Sequence, residues 1–256
     1  MSWVITPSAL LVDDPDAMTY LAAVEAADGQ ALEPATRRAV NAFIKGCKAD
    51  GLWPAIKASC ILAGARTLSG ALVPLVGTAP TNFNFVSGDY DRKTGLKGNG
   101  TTKYLNSGVS TGTDLSNHVS AYIGSDVATT SRIIGADSSA TGRIELSWSA
   151  SSTLTIAIQN LGGDFNRSHA RQLGFVGASA NYNTGTITTR GGGTTVSGGS
   201  YSFLSLVSPI TIFRYLGLNQ YYSGRIAFYS IGQTIDLALL DARVTALINA
   251  FAAAIP

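Results

Sequence analysis

The sequence predicts a mainly β protein, an antiparallel β-sandwich with an N-terminal helical segment and a C-terminal helix packed together. Three observations carry this. From about Thr81 onward, apolar and polar residues alternate in many short runs separated by Gly, Asn, Ser and Asp, the pattern of strands joined by turns. Before that point the spacing of apolar residues is helical. Near the end, the strand-like run Arg225-Ile-Ala-Phe-Tyr-Ser-Ile231 turns through Gly232 into one long amphipathic stretch.

Taken in order, Asp14-Pro15 predicts an N-cap followed by proline at the first helical position. Met18, Leu21, Ala22, Val24 and Glu25 continue that helix to a stop at Gly29. A second helix is predicted from Glu33-Pro34, burying Val40, Phe43, Ile44 and Cys47 and ending at Asp50-Gly51. A third is expected through Trp53-Pro-Ala-Ile-Lys-Ala-Ser-Cys-Ile-Leu62, ending near Gly64. Strands are predicted at Asn82–Val86, Val119–Ile123, Ser131–Ile134, Arg143–Trp148, Thr153–Ile158, Gln172–Val176, Tyr201–Leu206, Ile210–Tyr215 and Arg225–Ile231. The Gly-rich stretch Thr186–Ser200 reads as a hairpin. The closing helix starts near Thr234 with Asp236 in its first turn, and its stripe Leu237, Leu240, Val244, Leu247, Ile248 and Phe251 must dock on the N-terminal helices or the sandwich end. The chain therefore divides into a helical base over residues 1–69 and a sandwich with its closing helix over residues 70–256.

Composition excludes several functions. Charged residues are 13% of the chain, about half the usual share. The net charge is only +2, and basic residues adjoin only at Arg37-Arg38 and Arg92-Lys93, so no nucleic-acid face is expected. The start, Met1-Ser-Trp-Val-Ile-Thr-Pro7, lacks the charged n-region of a secretory signal. The most apolar window, Cys60–Gly77, is interrupted by Arg66 and Pro74, so no membrane insertion is expected. Cys47 and Cys60 are too few for a disulfide framework and are read as reduced, packed thiols.

Residues suited to chemistry are sparse. Sugar cleavage needs two carboxylates about 5 to 10 Å apart. Glu145 stands alone in the β region and is read as a solvent-facing side chain beside Arg143, so no catalytic residue is assigned. Asp164, Ser168 and His169 lie close in sequence, but local hydrogen bonding in a turn accounts for them better than a triad. Asp89 and Asp91, two residues apart in a Gly-bounded loop, with Asn99 nearby, have the oxygen-rich character of a calcium site. Tyr215, Asn219, Tyr221 and Tyr222 in one loop, and Tyr182 between two asparagines, set aromatic plates beside amides, a combination suited to sugar rings.

Two runs carry a resemblance. Thr94-Gly-Leu-Lys-Gly-Asn-Gly-Thr-Thr-Lys-Tyr-Leu-Asn106 and Gly224-Arg-Ile-Ala-Phe-Tyr-Ser-Ile-Gly-Gln-Thr-Ile-Asp-Leu-Ala-Leu-Leu-Asp241 resemble the first and last parts of concanavalin A-like (laminin G-like) jelly rolls. Four further phrases resemble structural proteins of tailed bacteriophages, including cyanophages: Val24–Pro34, Gly46–Trp53, Ile56–Arg66 and Leu72–Asn82. The resemblance covers about half the chain and leaves residues 107–223 unmatched. It implies a non-enzymatic virion component made in the host cytoplasm, with other virion proteins as partners. The jelly roll is then expected on a tail fibre or similar appendage, binding host-surface glycan, in a homo-oligomer taken to be a trimer. The alternatives are a capsid decoration or cement protein and, third, a glycan-degrading enzyme.

Overall fold

The structure is a computed structural model that describes residues 13–112, 114–125, 131–138, 142–148, 153–158, 165–169, 171–198 and 208–256. The N-terminal part holds α1 (Pro15–Asp28), α2 (Pro34–Ala49), β1 (Ile56–Ile61) and the short α3 (Leu68–Ala71). Then come β2 (Thr81–Phe83), β3 (Tyr90–Asp91), β4 (Gly95–Lys97), β5 (Tyr104–Asn106), β6 (Ser116–Ser125), β7 (Ser131–Ser138), β8 (Gly142–Trp148) and β9 (Thr153–Ile158). The remaining strands are β10 (Phe165–Ser168), β11 (Gly174–Asn181), β12 (Thr186–Gly191), β13 (Thr194–Gly198), β14 (Thr211–Ile212), β15 (Arg214–Tyr215), β16 (Gln220–Tyr221) and β17 (Arg225–Gly232), followed by α4 (Leu237–Ala254).

Fifteen of these strands make two antiparallel sheets packed face to face, and β15 and β16 pair with each other as a separate hairpin. Sheet A runs β13-β12-β11-β6-β17-β4-β3, with β1 also paired to β17; sheet B runs β10-β9-β8-β7-β14-β5-β2. One core fills the space between them, with Val119, Ala121, Ile123, Ile226 and Tyr229 from sheet A facing Leu105, Ile134, Ile144, Leu146, Trp148 and Ile212 from sheet B. A second core lies on the other face of sheet A, where Ala227 and Phe228 meet Phe43, Ile44, Leu240, Val244 and Phe251 of the helices. The molecule thus has three layers: helices, sheet A and sheet B.

The N-terminal helices form where local chemistry directs them. The Asp14 carboxylate caps α1 by accepting from Asp16 N at 3.0 Å, and Gly29 ends it in the left-handed region at φ 70°. Asp236 caps α4 by accepting from the amides of Ala238 and Leu239. The stripe predicted for α4 is buried, and the helix packs on α2, where Arg243 forks onto the Asp50 carboxylate at 2.7 and 2.9 Å. By length and composition α4 is apolar enough to cross a membrane, with a mean hydropathy of 1.5. Here its buried stripe faces the second core.

The third helix expected over residues 53–64 is absent. Trp53–Ala55 forms a single 3-10 turn and Ile56–Ile61 is a strand that fills an edge of β17, with Ser59 opposite Ser230 and Cys60 opposite Tyr229. Apart from the exposed Lys57, it is buried on both faces: Ala58 and Cys60 point into the sandwich, while Ile56 and Ile61 point to the helices. A strand buried on both sides reads as a continuous apolar run, which periodicity cannot tell from a buried helix. Because β1 belongs to sheet A, residue 69 is not a boundary between base and sandwich. Cys47 and Cys60 are free and face different cores, and burial pushes both thiols up to about 12. The strand predicted at Tyr201–Leu206 lies outside the described residues.

A polar contact ties the helices to sheet A, and another ties two strands within that sheet. Arg92, in the turn between β3 and β4, forks onto Glu33 at the start of α2 at 3.1 and 2.8 Å, and this guanidinium holds the Glu33 carboxyl down to about 2. His118 of β6 is fully buried; its Nδ1–H donates to the Gln233 carbonyl, which fixes the tautomer, and Nε2 accepts from Ser230 Oγ at 2.8 Å. Burial pushes the His118 pKa down to about 4. Between about pH 6.5, the ordinary histidine value, and pH 4, the unfolded chain takes up a proton that the folded chain refuses, so stability falls as pH falls through that window. Urea unfolding across it should show a loss of up to about 3 kcal/mol that is largely missing in His118→Gln. The Glu33 contribution is lost only below the usual carboxylate range, so an equal slope in both proteins between pH 6.5 and 4.5 would contradict this assignment.

Candidate functional site

Helices cover the outer face of sheet A, whereas the outer face of sheet B carries a short hairpin of its own chain. The hairpin arises at Phe213. Its φ of 70° is unusual for an aromatic residue; it ends β14 and lets β15 leave the sheet to pair with β16 across the face just vacated. Phe213 is held in this conformation by full burial, by the Phe85 ring at 5.0 Å edge-on, and by backbone bonds to Ile133 and Tyr222.

The hairpin lies flat because Gly135 of β7 has no side chain; a Cβ there would sit 2.8 Å from Tyr215 Cα. A buried ionic cluster then pins it. By strand alternation Glu145 and Ser147 of β8 project to the outer face, opposite Gly135 and Arg132 of β7. The Glu145 carboxylate is 2% exposed, pairs with the Arg132 guanidinium and accepts from Ser147 Oγ at 2.7 Å, with Arg143 Nε at 3.9 Å. Arg132 in turn donates to Ser147 Oγ at 3.0 Å and to Gln220 Oε1 of the hairpin at 2.7 Å, and stacks 5.6 Å from the Tyr215 ring centre. The sequence reading of Glu145 as solvent-facing is therefore corrected. The hairpin roofs it, and its immediate charged partners are two arginines rather than a second carboxylate.

On the hairpin's other side the geometry opens outward. Phe83 of β2 and Tyr104 of β5 are register partners whose rings stack at 4.3 Å and 4°. Beside them Tyr221 stands 6.2 Å from Tyr104, and the Arg214 guanidinium lies between the two, 4.6 and 5.3 Å from their ring centres. Asn219, left-handed at φ 49°, turns its Oδ1 to accept from Arg214 Nη2 at 3.0 Å and from the Tyr221 hydroxyl at 3.1 Å. Asn219 is exposed and the three aromatic rings and Arg214 are half-buried, with Leu216 and Leu218 exposed at the rim. The result is a half-buried aromatic cluster with one guanidinium between two of its rings and one amide at its edge, which can pack against a ring and donate hydrogen bonds to its oxygens.

Of the aromatic residues singled out in the sequence, Tyr221 joins this platform with Asn219. Tyr215 and Tyr222 are buried and serve as packing: Tyr215 under the hairpin, and Tyr222 with its hydroxyl on the Ser125 carbonyl at 2.9 Å. Tyr182 follows β11 of sheet A and packs half-buried against the sandwich core, so it does not reach this face by the sheet order. Phe83, Tyr104 and Arg214 were not legible as site residues, because they meet Tyr221 only through sheet order and the Phe213 turn. Asp89, Asp91 and Asn99 are engaged elsewhere. The Asp89 carboxylate holds Lys103 and accepts from Val86 N. Asp91 accepts from Lys93 N, Thr94 N and Thr94 Oγ1, and Asn99 Oδ1 closes a turn with the amides of residues 101, 102 and 103. Among the described residues, no group of three or more His, Cys, Asp or Glu could hold a metal ion. His169 is buried, its Nε2 on Thr189 Oγ1 at 2.9 Å and its Nδ1 on the Gly191 carbonyl at 3.1 Å; Asp164 lies outside the described residues.

No family model matches the chain, and no curated protein resembles it in sequence. Solved structures do resemble it in fold. Trypanosoma rangeli sialidase in complex with 2,3-difluorosialic acid aligns at a TM-score of 0.50 and 11% identity, over 91% of this chain and 38% of the sialidase. Domains LG4-5 of the mouse laminin alpha1 chain align at 0.39 and 12% identity, over 64% of this chain and 47% of theirs. The Ruminococcus gnavus IT-sialidase CBM40 domain bound to α2,3-sialyllactose aligns at 0.46 and 12%, over 59% of this chain and 96% of the domain. The chain thus spans less than half of the laminin fragment and of the sialidase. At these identities the likeness is one of fold alone, that of an antiparallel jelly-roll sandwich.

The buried ionic cluster is the part of this site most open to a stability test. Glu145→Ala leaves Arg132 beneath the hairpin without its carboxylate and should cost about 3 kcal/mol or more in urea unfolding. A change below about 0.5 kcal/mol, the usual range for surface substitutions, would show that the cluster does not hold the hairpin.

Proposed function

We propose that this chain is a non-enzymatic virion protein whose jelly roll binds host-surface glycan through Phe83, Tyr104, Arg214, Asn219 and Tyr221, displayed on a tail fibre or similar appendage. The observation that carries the glycan reading is the platform itself: a stacked ring pair and a third, tilted ring on an exposed sheet face, edged by hydrogen-bonding groups and pre-organised by a buried ionic cluster. Sugar rings offer apolar faces and hydroxyl rims to such a surface. The non-enzymatic reading is supported by the surroundings of Glu145, where a general acid and its carboxylate partner would be needed. The virion reading is supported by the phage-like phrases of the N-terminal region and by the low charge of the chain.

A capsid decoration role is the second reading, favoured by the solvent side of α4. Ala238, Leu239, Ala242, Ala246, Asn249 and Ala252 carry no charge there, as suits a surface laid against a neighbouring protein. Antibody labelling of intact particles distinguishes appendage from shell. For the platform, Tyr104→Ala and Tyr221→Ala should each weaken binding on a glycan array by about tenfold, the loss of one stacking face of about 1.4 kcal/mol, with an unchanged far-UV spectrum. Full retention of sugar binding in both variants would place the site elsewhere.

A further inference from the structure

We propose that the sugar taken by the platform is acidic, a pyranose bearing a carboxylate that pairs with Arg214. This rests on the glycan-binding reading above and narrows it to a ligand class.

Of the other cations near this face, Arg132 and Arg143 share the Glu145 carboxylate, and Lys103 is held by both oxygens of Asp89. Arg214 differs. Among the described residues no carboxylate pairs with it; its guanidinium has one hydrogen-bond acceptor, the neutral Asn219 amide oxygen, and its Nε is buried without a partner.

That arrangement keeps the charge and aims it. The Tyr104 and Tyr221 rings hold the guanidinium plane from two sides, and Asn219 orients its edge, so little side-chain freedom remains to be lost on binding. A half-desolvated guanidinium with a neutral partner gains most from an anion, since charge-assisted hydrogen bonds are roughly twice as strong as neutral ones. A planar carboxylate matches the fork of Arg and, carried on a pyranose, leaves the sugar ring's apolar face free to pack beside Tyr221. A hydroxyl-only sugar would leave the charge uncompensated.

The test applies the full chain to a printed array of neutral, uronic-acid, nonulosonic-acid and sulfated oligosaccharides, beside Arg214→Gln, Arg214→Lys and Tyr221→Ala. Carboxylated sugars should bind at least about tenfold better than neutral ones. That preference should vanish in Arg214→Gln, survive in part in Arg214→Lys, and fall as sodium chloride is raised. Tyr221→Ala should weaken all sugars alike. Equal binding of neutral and carboxylated sugars, or a preference unchanged in Arg214→Gln, overturns the acidic ligand and leaves the glycan reading standing. Equal binding of sulfated and carboxylated sugars also overturns it, showing a general anion site. An array blank for every sugar with folded protein overturns both. If Arg214→Gln does not fold, the wild-type ratio, its salt dependence and Arg214→Lys decide the matter.

Discussion

Burial of β17 on both faces joins the helical layer to the sandwich. β6 lines one edge along its whole length, while β4 and β1 share the other. Ile226, Tyr229 and Ile231 face the sandwich and Ala227 and Phe228 face the helices, which strict alternation would not allow. A bulge resolves the conflict: Ile226 pairs with Ile123 and Phe228 with Tyr122, so Ala227 is the extra residue that resets the phase. Phe228 can then meet Phe43 of α2 edge-on at 5.8 Å. Close approach completes the joint, since a Cβ at Gly95 of β4 would lie 2.2 Å from the Ile226 carbonyl oxygen.

One consequence is functional. With helices over the outer face of sheet A, the open sheet face of the sandwich belongs to sheet B, and the chain builds there with its own hairpin. Two local costs are accepted for this. Phe213 adopts a backbone conformation that aromatic residues rarely visit, and Glu145 is taken out of water. A buried ion pair contributes little to net stability compared with an apolar substitute, but losing either partner is expensive. The Glu145–Arg132–Gln220 chain therefore acts as a positional lock, selecting one placement of Asn219 and Tyr221 over the sheet.

Much of the framework was legible from local chemistry. Asp14-Pro15 and Gly29 mark helix ends where they are predicted, because caps are set by residues within one turn, while α4 starts at Leu237 rather than near Thr234, with Asp236 as its N-cap instead of in its first turn. The strands around Val119, Arg143 and Arg225 follow their apolar patterns. Ile56–Ile61 misled because burial on both faces erases the period, and only the vacant edge of β17 makes it a strand. Glu145 misled for a related reason: exposure on the outer face follows from alternation, but its roof comes from residues some 70 positions later in the chain. Of the platform, Asn219 and Tyr221 were legible as aromatic and amide neighbours in one loop, and the rest was not. Phe83, Tyr104 and Arg214 are brought together by the order β14-β5-β2 and by the turn at Phe213, neither of which leaves a local signature.

On the proposed function, the hairpin over sheet B is where the protein meets its ligand. Hydrogen–deuterium exchange, with and without a saturating amount of the oligosaccharide that gives the strongest array signal, tests this directly. Protection is predicted in residues 83–84, around Tyr104 and across 214–221, with the helical layer unchanged. Protection confined to α2 and α4, or to residues 172–193, would contradict the account.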